Sequence, residues 1–372
     1  MVIYELKEFK TVINKMKFVD SWFWCRYTLN SYNGCEHACV YCDARSKKYY
    51  LHPEFEEVIF VKTNIRKKLD DRLRRARTLL PDVVGTGGTC DAYQQAEKQY
   101  KNTRQVLEVL LKYKFPVLIG TKNTLVLRDL DLITQINKET WCTVAFTITS
   151  FNEEVINFLE PRASPPDERI NALRMIKEEH PEIQTGVHFM PIVPLLEDSD
   201  DNLEEVVSRT KEAKCDFILF APGMSLRDDQ AEFFKKKLKE KYPAIYDEFL
   251  SLYRTGSMWG NPEYLSVINK KVYNLCKKYN INFRSKRWIP NDFRRVNYII
   301  AEKLLNESYE LEVLEKPDKQ MQWAGLNIQN LNDSLLNIKN YKEVLKIPNY
   351  LVDKIDRMLK NFKRKKDLTS YF

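Results

Sequence analysis

The chain has 372 residues, 44% of them hydrophobic, and a formal net charge of +8. That apolar content suits a large core and excludes global disorder, and no uninterrupted apolar run approaches the ~18 residues a membrane span needs. The opening segment, MVIYELKEFKTVINKMKF, mixes acids with bases and lacks the apolar stretch of a signal peptide, so a cytoplasmic location is expected.

In chain order, residues 1–26 read as an N-terminal extension. YTLNSYNG, from Tyr27, reads as a first strand, and the loop NGCEHACVYCDAR follows it. From Asp82 the chain alternates between two periodicities. PDVVGTGG is a short apolar run stopped by glycines. NTRQVLEVLLKYK has Val106, Leu107, Leu110 and Leu111 at helical spacing. FPVLIGTK reads as a strand, TLVLRDLDLITQI as a helix, and WCTVAFTIT as a β-branched, aromatic strand. PPDERINALRMIKEEH opens with prolines and acids, as a first helical turn prefers. IQTGVHFMPIV, NLEEVVSRTKEA and CDFILFAP complete the series as strand, helix and strand. Repeated strand–helix pairs predict a parallel sheet covered by helices, here a partial (β/α)6 TIM-type barrel over residues 27–225. Residues 226–316 predict a charged helical appendage, and 317–346 a linker. Residues 347–372 predict a basic amphipathic helix, with Leu351, Ile355, Leu359 and Phe362 on one face, and a tail.

In such barrels the chemistry sits at the C-terminal ends of the strands. Gly87 and Gly88, Lys122, and Thr147 all fall at those ends. On the fourth strand, alternation puts Thr147 with Ala145 and Thr149, opposite Val144, Phe146 and Ile148. Of the eight cysteines, only Cys35, Cys39 and Cys42 cluster, with three residues and then two between them. In a reducing compartment that spacing points to metal rather than disulfides. Three thiolates on one loop can hold three irons of a cubane, leaving the fourth iron open to chelate a small molecule. The competing assignment is zinc, with Cys25 or His37 as fourth ligand.

The motif CxxxCxxC, with the aromatic Tyr41 before its last cysteine, resembles that of the radical S-adenosylmethionine (SAM) superfamily. The string NSYNGCEHACVYCDAR resembles the branch related to spore photoproduct lyase, often labelled SplB-like. GTCDAYQQAE, LIGTKNTLVLRDLDLI, FTITSFNEEVINFLEPRASPPDERINAL and VHFMPIVP resemble it in order and spacing. The resemblance implies a [4Fe-4S] cluster on Cys35, Cys39 and Cys42, and reductive cleavage of SAM to a 5′-deoxyadenosyl radical. It also implies an electron donor such as ferredoxin or flavodoxin. By the same resemblance Tyr41, Gly87, Gly88, Lys122 and Thr147 contact the cofactor. Lys122 matches a lysine that meets the methionyl carboxylate. Thr147 lies where a ribose-contacting hydroxyl occurs. Cys90 falls within one residue of the cysteine that returns a hydrogen atom to the product radical. One position departs: the lyases carry a tyrosine directly after the third cysteine, and this chain has Asp43.

The tail KKDLTSYF resembles the PCNA-interacting box, with Leu368, Tyr371 and Phe372 as the apolar plug and Lys365 in place of the usual glutamine. It follows the basic run Lys360, Lys363, Arg364, Lys365 and Lys366, a composition that suits phosphates. The leading expectation is a radical enzyme acting on nucleic acid, DNA above all, with a sliding clamp as partner and lesion repair as one form of the reaction. The alternatives are a radical enzyme modifying a protein or small metabolite, and a non-enzymatic iron–sulfur protein that binds a clamp.

Overall fold

The structure is a computed structural model that describes residues 2–75, 79–254 and 257–369. It divides into two compact units. The first contains residues 2–15 and 27–286; the second contains 16–26 and 287–369.

The first unit opens with β1 (Ile3–Lys7) and β2 (Ile13–Lys15), then β3 (Tyr27–Leu29), β4 (Tyr32–Asn33) and β5 (Val58–Lys62). The helix α1 (Ile65–Arg74) leads to β6 (Val84–Thr86), α2 (Ala96–Tyr100) and α3 (Asn102–Lys112). Next come β7 (Val117–Thr121), α4 (Leu130–Glu139), β8 (Cys142–Thr147), α5 (Glu153–Leu159) and α6 (Pro166–Glu179). Finally β9 (Gln184–Ile192), α7 (Asp200–Glu212) and β10 (Phe217–Pro222) precede α8 (Asp228–Lys241), α9 (Tyr246–Ser251) and α10 (Pro262–Lys278).

The main sheet runs β10-β9-β8-β7-β6-β3-β2. Six neighbouring strands are parallel, and β2 adds antiparallel to β3 at the edge. The six expected strands are thus present in the expected order, with β2 and β10 as edges, which is an open barrel. A second sheet, β1-β5-β4, pairs β1 parallel and β4 antiparallel with β5. The expected first strand is therefore split between two sheets. The break falls at Asn30 and Ser31, whose carbonyls accept from the side chains of Lys62 (2.7 Å) and Asn102 (3.2 Å) instead of from a ladder partner.

Register fixes which residues share a face. Gly120, Ala145 and Gly186 form one row across β7, β8 and β9, and Thr147 pairs with His188 one row above. Alternation puts Lys122 on that same side. The small residues of the lower row leave room for the polar row at the strand ends. The opposite face carries Val144, Phe146 and Val187, all buried beneath the helices.

The second unit contains α11 (Arg294–Val313), α12 (Lys319–Ile328), α13 (Tyr341–Leu345) and α14 (Asn349–Thr369). Its core joins Trp24, Leu304, Leu305, Ile328, Leu351 and Ile355. Three expectations are corrected here. Segment 317–346 is no linker: Met321, Ala324 and Ile328 of α12, with Tyr341 and Leu345 of α13, are buried in this core. Nor are residues 1–26 a simple extension, since β1 and β2 join the sheets and 16–26 belong to the second unit. The appendage 226–316 is likewise divided, with α8 to α10 in the first unit and α11 in the second. Leu368 falls within the α14 backbone, while Tyr371 and Phe372 lie outside the described residues. Among the described residues no helix is long and apolar enough to cross a membrane.

Candidate functional site

The cysteine loop leaves β4 at Gly34, whose backbone is left-handed (φ +99°). An added Cβ would stand 2.7 Å from the Val58 carbonyl oxygen, so only glycine brings the loop this close to β5. The Cys35 amide then donates to the Phe55 carbonyl (2.8 Å), and the Val40 amide donates to the Leu159 carbonyl at the end of α5 (2.8 Å). Glu36 accepts from Tyr4 and from the Ala96 amide, both at 2.7 Å, while Gln94 bonds the Glu36 amide and the Gly34 carbonyl. The loop is therefore held by polar contacts to distant parts of the unit.

Asp91 connects this loop to the strand ends. Its carboxylate accepts from the Thr121 hydroxyl and the Lys122 amide, both at 2.7 Å, and its own amide points at the Cys35 thiol (3.4 Å). His37 Nε2 lies 3.2 Å from Asp91 Oδ2, and its Nδ1 lies 3.3 Å from the Arg162 carbonyl. Both ring nitrogens thus lie close to a protein oxygen. The Asp91 carboxyl is held down at about 2: burial opposes this, but His37 and three hydrogen-bond donors outweigh it.

A second buried network closes over the loop. The Tyr41 hydroxyl donates to Glu160, and Glu160 pairs with Arg169 at 2.5 Å. Arg169 in turn donates to the Thr147 carbonyl (2.8 Å) and the Ser164 carbonyl. Burial raises the Glu160 carboxyl, yet Arg169 and Lys122 bring it below its usual value. The Lys122 ammonium lies 5.6 Å from the Tyr41 ring centre and has no hydrogen-bond partner among the described residues. Burial disfavours its charge, but Cys39, Glu160 and Asp91 more than offset this and keep it protonated.

These features fit the implied cofactors. Burial pushes all three loop thiols up, Cys39 to about 12. A cationic centre would offset that cost and hold them as thiolates. Among the described residues no three His, Cys, Asp or Glu side chains converge at the spacing of a single metal ion. A cubane binds each thiolate at a separate corner and spreads its ligands wider than tetrahedral zinc does. Cys25, the other suggested zinc ligand, belongs to the second unit, where its thiol donates to the Phe23 carbonyl. The Lys122 ammonium suits a carboxylate, and Thr147, 9% exposed, offers a hydroxyl that has no hydrogen-bond partner among the described residues.

The remaining expected residues differ in what surrounds them. Gly87 (φ +87°) passes the Gly120 carbonyl so closely that a Cβ would sit at 2.6 Å, so its glycine is required by the turn. A Cβ on Gly88 would meet only Asn30 Oδ1 at 4.0 Å, which leaves that side open. Cys90 is 4% exposed among Tyr32, Ile59, Val61 and Ala96, and its thiol donates to the Tyr32 carbonyl (3.3 Å). Burial raises it to about 11, so it stays S–H at neutral pH. Asp43 accepts from Ser225 (2.6 Å) and Tyr49 (2.5 Å) and pairs with Arg227. The position where the lyases carry a tyrosine is therefore an anchored carboxylate. Sequence reasoning missed Asp91, Glu160, Arg169 and Glu197. Their only signal was position: Asp91, Glu160 and Glu197 in the segments after the second, fourth and fifth parallel strands, and Arg169 near the start of α6.

The radical SAM superfamily profile matches residues 29–209. An uncharacterised protein of Methanocaldococcus jannaschii is 30% identical over 223 residues, covering 60% of this chain and 78% of its own. An uncharacterised protein of Mycobacterium tuberculosis is 29% identical over 260 residues, 69% and 75% respectively. A mutant of spore photoproduct lyase shares the fold at a TM-score of 0.56 and 17% identity, covering 74% of this chain and 79% of that one. A further structure of that enzyme, with AdoMet and dinucleoside spore photoproduct bound, gives 0.54 and 14% over the same shares.

Proposed function

Because the chain belongs to the radical SAM superfamily, whose members use a [4Fe-4S] cluster and SAM, we propose that it is an enzyme that cleaves SAM reductively. Cys35, Cys39 and Cys42 would hold the cluster, which together with SAM supplies a carbon-centred radical when both are bound. One observation carries this reading: three thiols, Cys39 buried and Cys35 and Cys42 partly so, share a loop tied by Asp91 to the strand end where the Lys122 ammonium makes no hydrogen bond among the described residues. Lys122 would hold the methionyl carboxylate, with Thr147 and the open side of Gly88 flanking the ligand. Tyr41, Glu160 and Arg169 fix the loop against α5 and α6 and leave no charge in this network without a counterion. Cys90 would act after radical formation as a source of a hydrogen atom, since its thiol remains protonated.

The test is anaerobic reconstitution with iron and sulfide, followed by SAM and a reductant. Iron content near four per chain and release of 5′-deoxyadenosine are expected, a stoichiometry set by the cubane. Stoichiometric zinc without iron after anaerobic purification would refute the assignment.

For the substrate, nucleic acid is the reading we favour. It is supported by the net charge of +8, the basic run before the tail, and the dinucleoside bound by the lyase that shares the fold. The anchored Asp43 speaks against the same hydrogen relay. Mass spectrometry of lesion-bearing oligonucleotides incubated with the loaded enzyme checks this. Docking of a sliding clamp rests on KKDLTSYF, and calorimetry of the Tyr371→Ala/Phe372→Ala variant against a PCNA-type clamp decides it.

A further inference from the structure

The helix α1 leaves cations over after every nearby acid is matched. Its sequence, IRKKLDDRLR, holds five bases against two acids, and Arg75 adjoins them. Three of these bases, Arg66, Lys67 and Lys68, lie in the first turn, which carries no acid. The helix dipole disfavours cations there, so helix stability does not account for them. The acids at hand are already neutralised within the fold. Asp70 pairs with Lys112 of α3 (2.5 Å), Asp71 with Arg74 (2.6 Å) and Arg75 (3.8 Å), and Glu108 of α3 with Arg66. Lys67, Lys68 and Arg72 remain exposed, with no ion pair among the described residues. The basic helix α10 differs, because Lys271 and Lys278 pair with Asp200 and Glu204 of α7.

Lys68, Arg72 and Arg75 recur four and then three residues apart, so they share one face over ~10 Å of helix. The composition of that face selects its occupant. A helix lying on a membrane needs an apolar side free to insert, but Ile65, Leu69 and Leu73 are all buried. A protein interface needs an apolar centre, and single strands are held on aromatic platforms. The exposed side chains of α1 include neither. A duplex backbone needs only cations: each strand presents a phosphate every ~3.4 Å along the axis, so ~10 Å of helix faces about three of them. Position agrees with this. Lys62, just before α1, donates to the Asn30 carbonyl beyond the end of β3 (2.7 Å), so α1 starts level with the strand ends from which the cysteine loop departs.

We propose that the exposed face of α1 docks the phosphate backbone of duplex DNA through Lys68, Arg72 and Arg75. The proposal deepens the nucleic-acid reading above and rests on it. Phosphate contacts fix position and carry no sequence information, so α1 holds the duplex and leaves the choice of base to the barrel mouth.

The experiment uses the full reconstituted chain and a fluorescein-labelled duplex of mixed sequence. Lys68→Gln/Arg72→Gln is compared with Lys138→Gln/Lys236→Gln, which removes the same charge from exposed positions on α4 and α8. Glutamine is close to lysine and arginine in helix propensity, so both variants should keep the wild-type circular dichroism. Anisotropy titrations between about 50 and 200 mM salt read binding and its salt dependence. Removing two phosphate contacts should lower the slope of log affinity against log salt by about 1.8 and weaken duplex binding at least ~10-fold, while the control stays within about twofold of wild type. Wild-type affinity in the α1 variant, or equal weakening by the control, overturns the proposal and leaves the nucleic-acid reading standing. Tighter binding of wild type to a single strand than to the duplex does the same. Loss of binding to phosphatidylserine vesicles with duplex binding kept also overturns it and assigns the face to a membrane. Wild type that binds neither duplex nor single strand refutes the nucleic-acid reading itself, and the proposal with it.

Discussion

The strand-end region of the first unit and the helical second unit bury opposite things. Around the cysteine loop the interior holds Glu36, His37, Asp91, Glu97, Glu160, Arg169 and Glu197, nearly all excluded from water. In the second unit the interior is dominated by Leu304, Leu305, Ile328, Leu345, Leu351 and Ile355 from four helices, with Trp24 packed among them. Aliphatic burial stabilises a fold with little demand on geometry. Buried charge stabilises only when every partner is in place, and partners removed singly cost several kcal/mol. The first region therefore spends stability on holding thiols, an ammonium and carboxylates in fixed places, the arrangement that the proposed chemistry needs.

Two substitutions should break the molecule along this line. The largest effect is expected from Cys39→Ala, which should reduce bound iron and 5′-deoxyadenosine to background while circular dichroism stays near wild type. Full cluster loading in that variant would remove Cys39 from the ligand set. Leu304→Ala opens a cavity in the second unit and should cost about 2–5 kcal/mol of its stability. Denaturant unfolding measures the loss, and iron content per chain should stay unchanged. A parallel fall in iron loading would show that the two kinds of core are not independent.

Lys122→Met sharpens the polar half of the comparison. The ammonium makes no hydrogen bond among the described residues, and Glu160 keeps Arg169 as its counterion, so the fold should tolerate the change. A hydrogen bond to a charged group contributes about 1.5–3 kcal/mol, so SAM affinity should fall roughly ten- to hundredfold. Calorimetric titration of the loaded protein with SAM measures this, and an unchanged dissociation constant would detach Lys122 from the ligand.

The same contrast explains what could be read from sequence. The strands β7 to β10 are apolar runs bounded by turn residues, so their pattern is local and legible. The cysteine spacing is local too. The small sheet β1-β5-β4 was not legible, because β4 is two residues long and its pairing with β5 spans a long loop. In α12, Met321, Ala324 and Ile328 keep helical spacing, but Lys319, Gln322 and Asn327 dilute it. Gly325, packed against Leu305, weakens the pattern further. The pairs that support the site, Tyr41 with Glu160 and His37 with Asp91, join residues far apart in the chain. Nothing local in either partner announces the other.

Glu197 provides the smallest and most specific test of buried polarity. It lies in the loop after β9, fully excluded from water, and its carboxylate accepts from the Val193 amide at 2.9 Å. Burial, helped by the charges of Glu160 and Asp198, raises its pKa to about 8, against partial opposition from Thr149 and the Val193 amide. The folded state thus holds a proton that the unfolded chain releases near pH 4.5. The stabilisation is fully present below pH 4.5 and is lost as pH rises toward 8, at up to about 1.4 kcal/mol per pH unit. Glu197→Gln keeps the size and the amide bond but removes the titration. Its stability relative to wild type should therefore improve steadily from pH 5 to pH 8 and level off above it. Chemical denaturation of both proteins at pH 5, 7 and 9 cancels the groups they share. A stability difference that stays flat over that range would mean that Glu197 is ionised in the folded protein, with a cation or water reaching it inside the barrel.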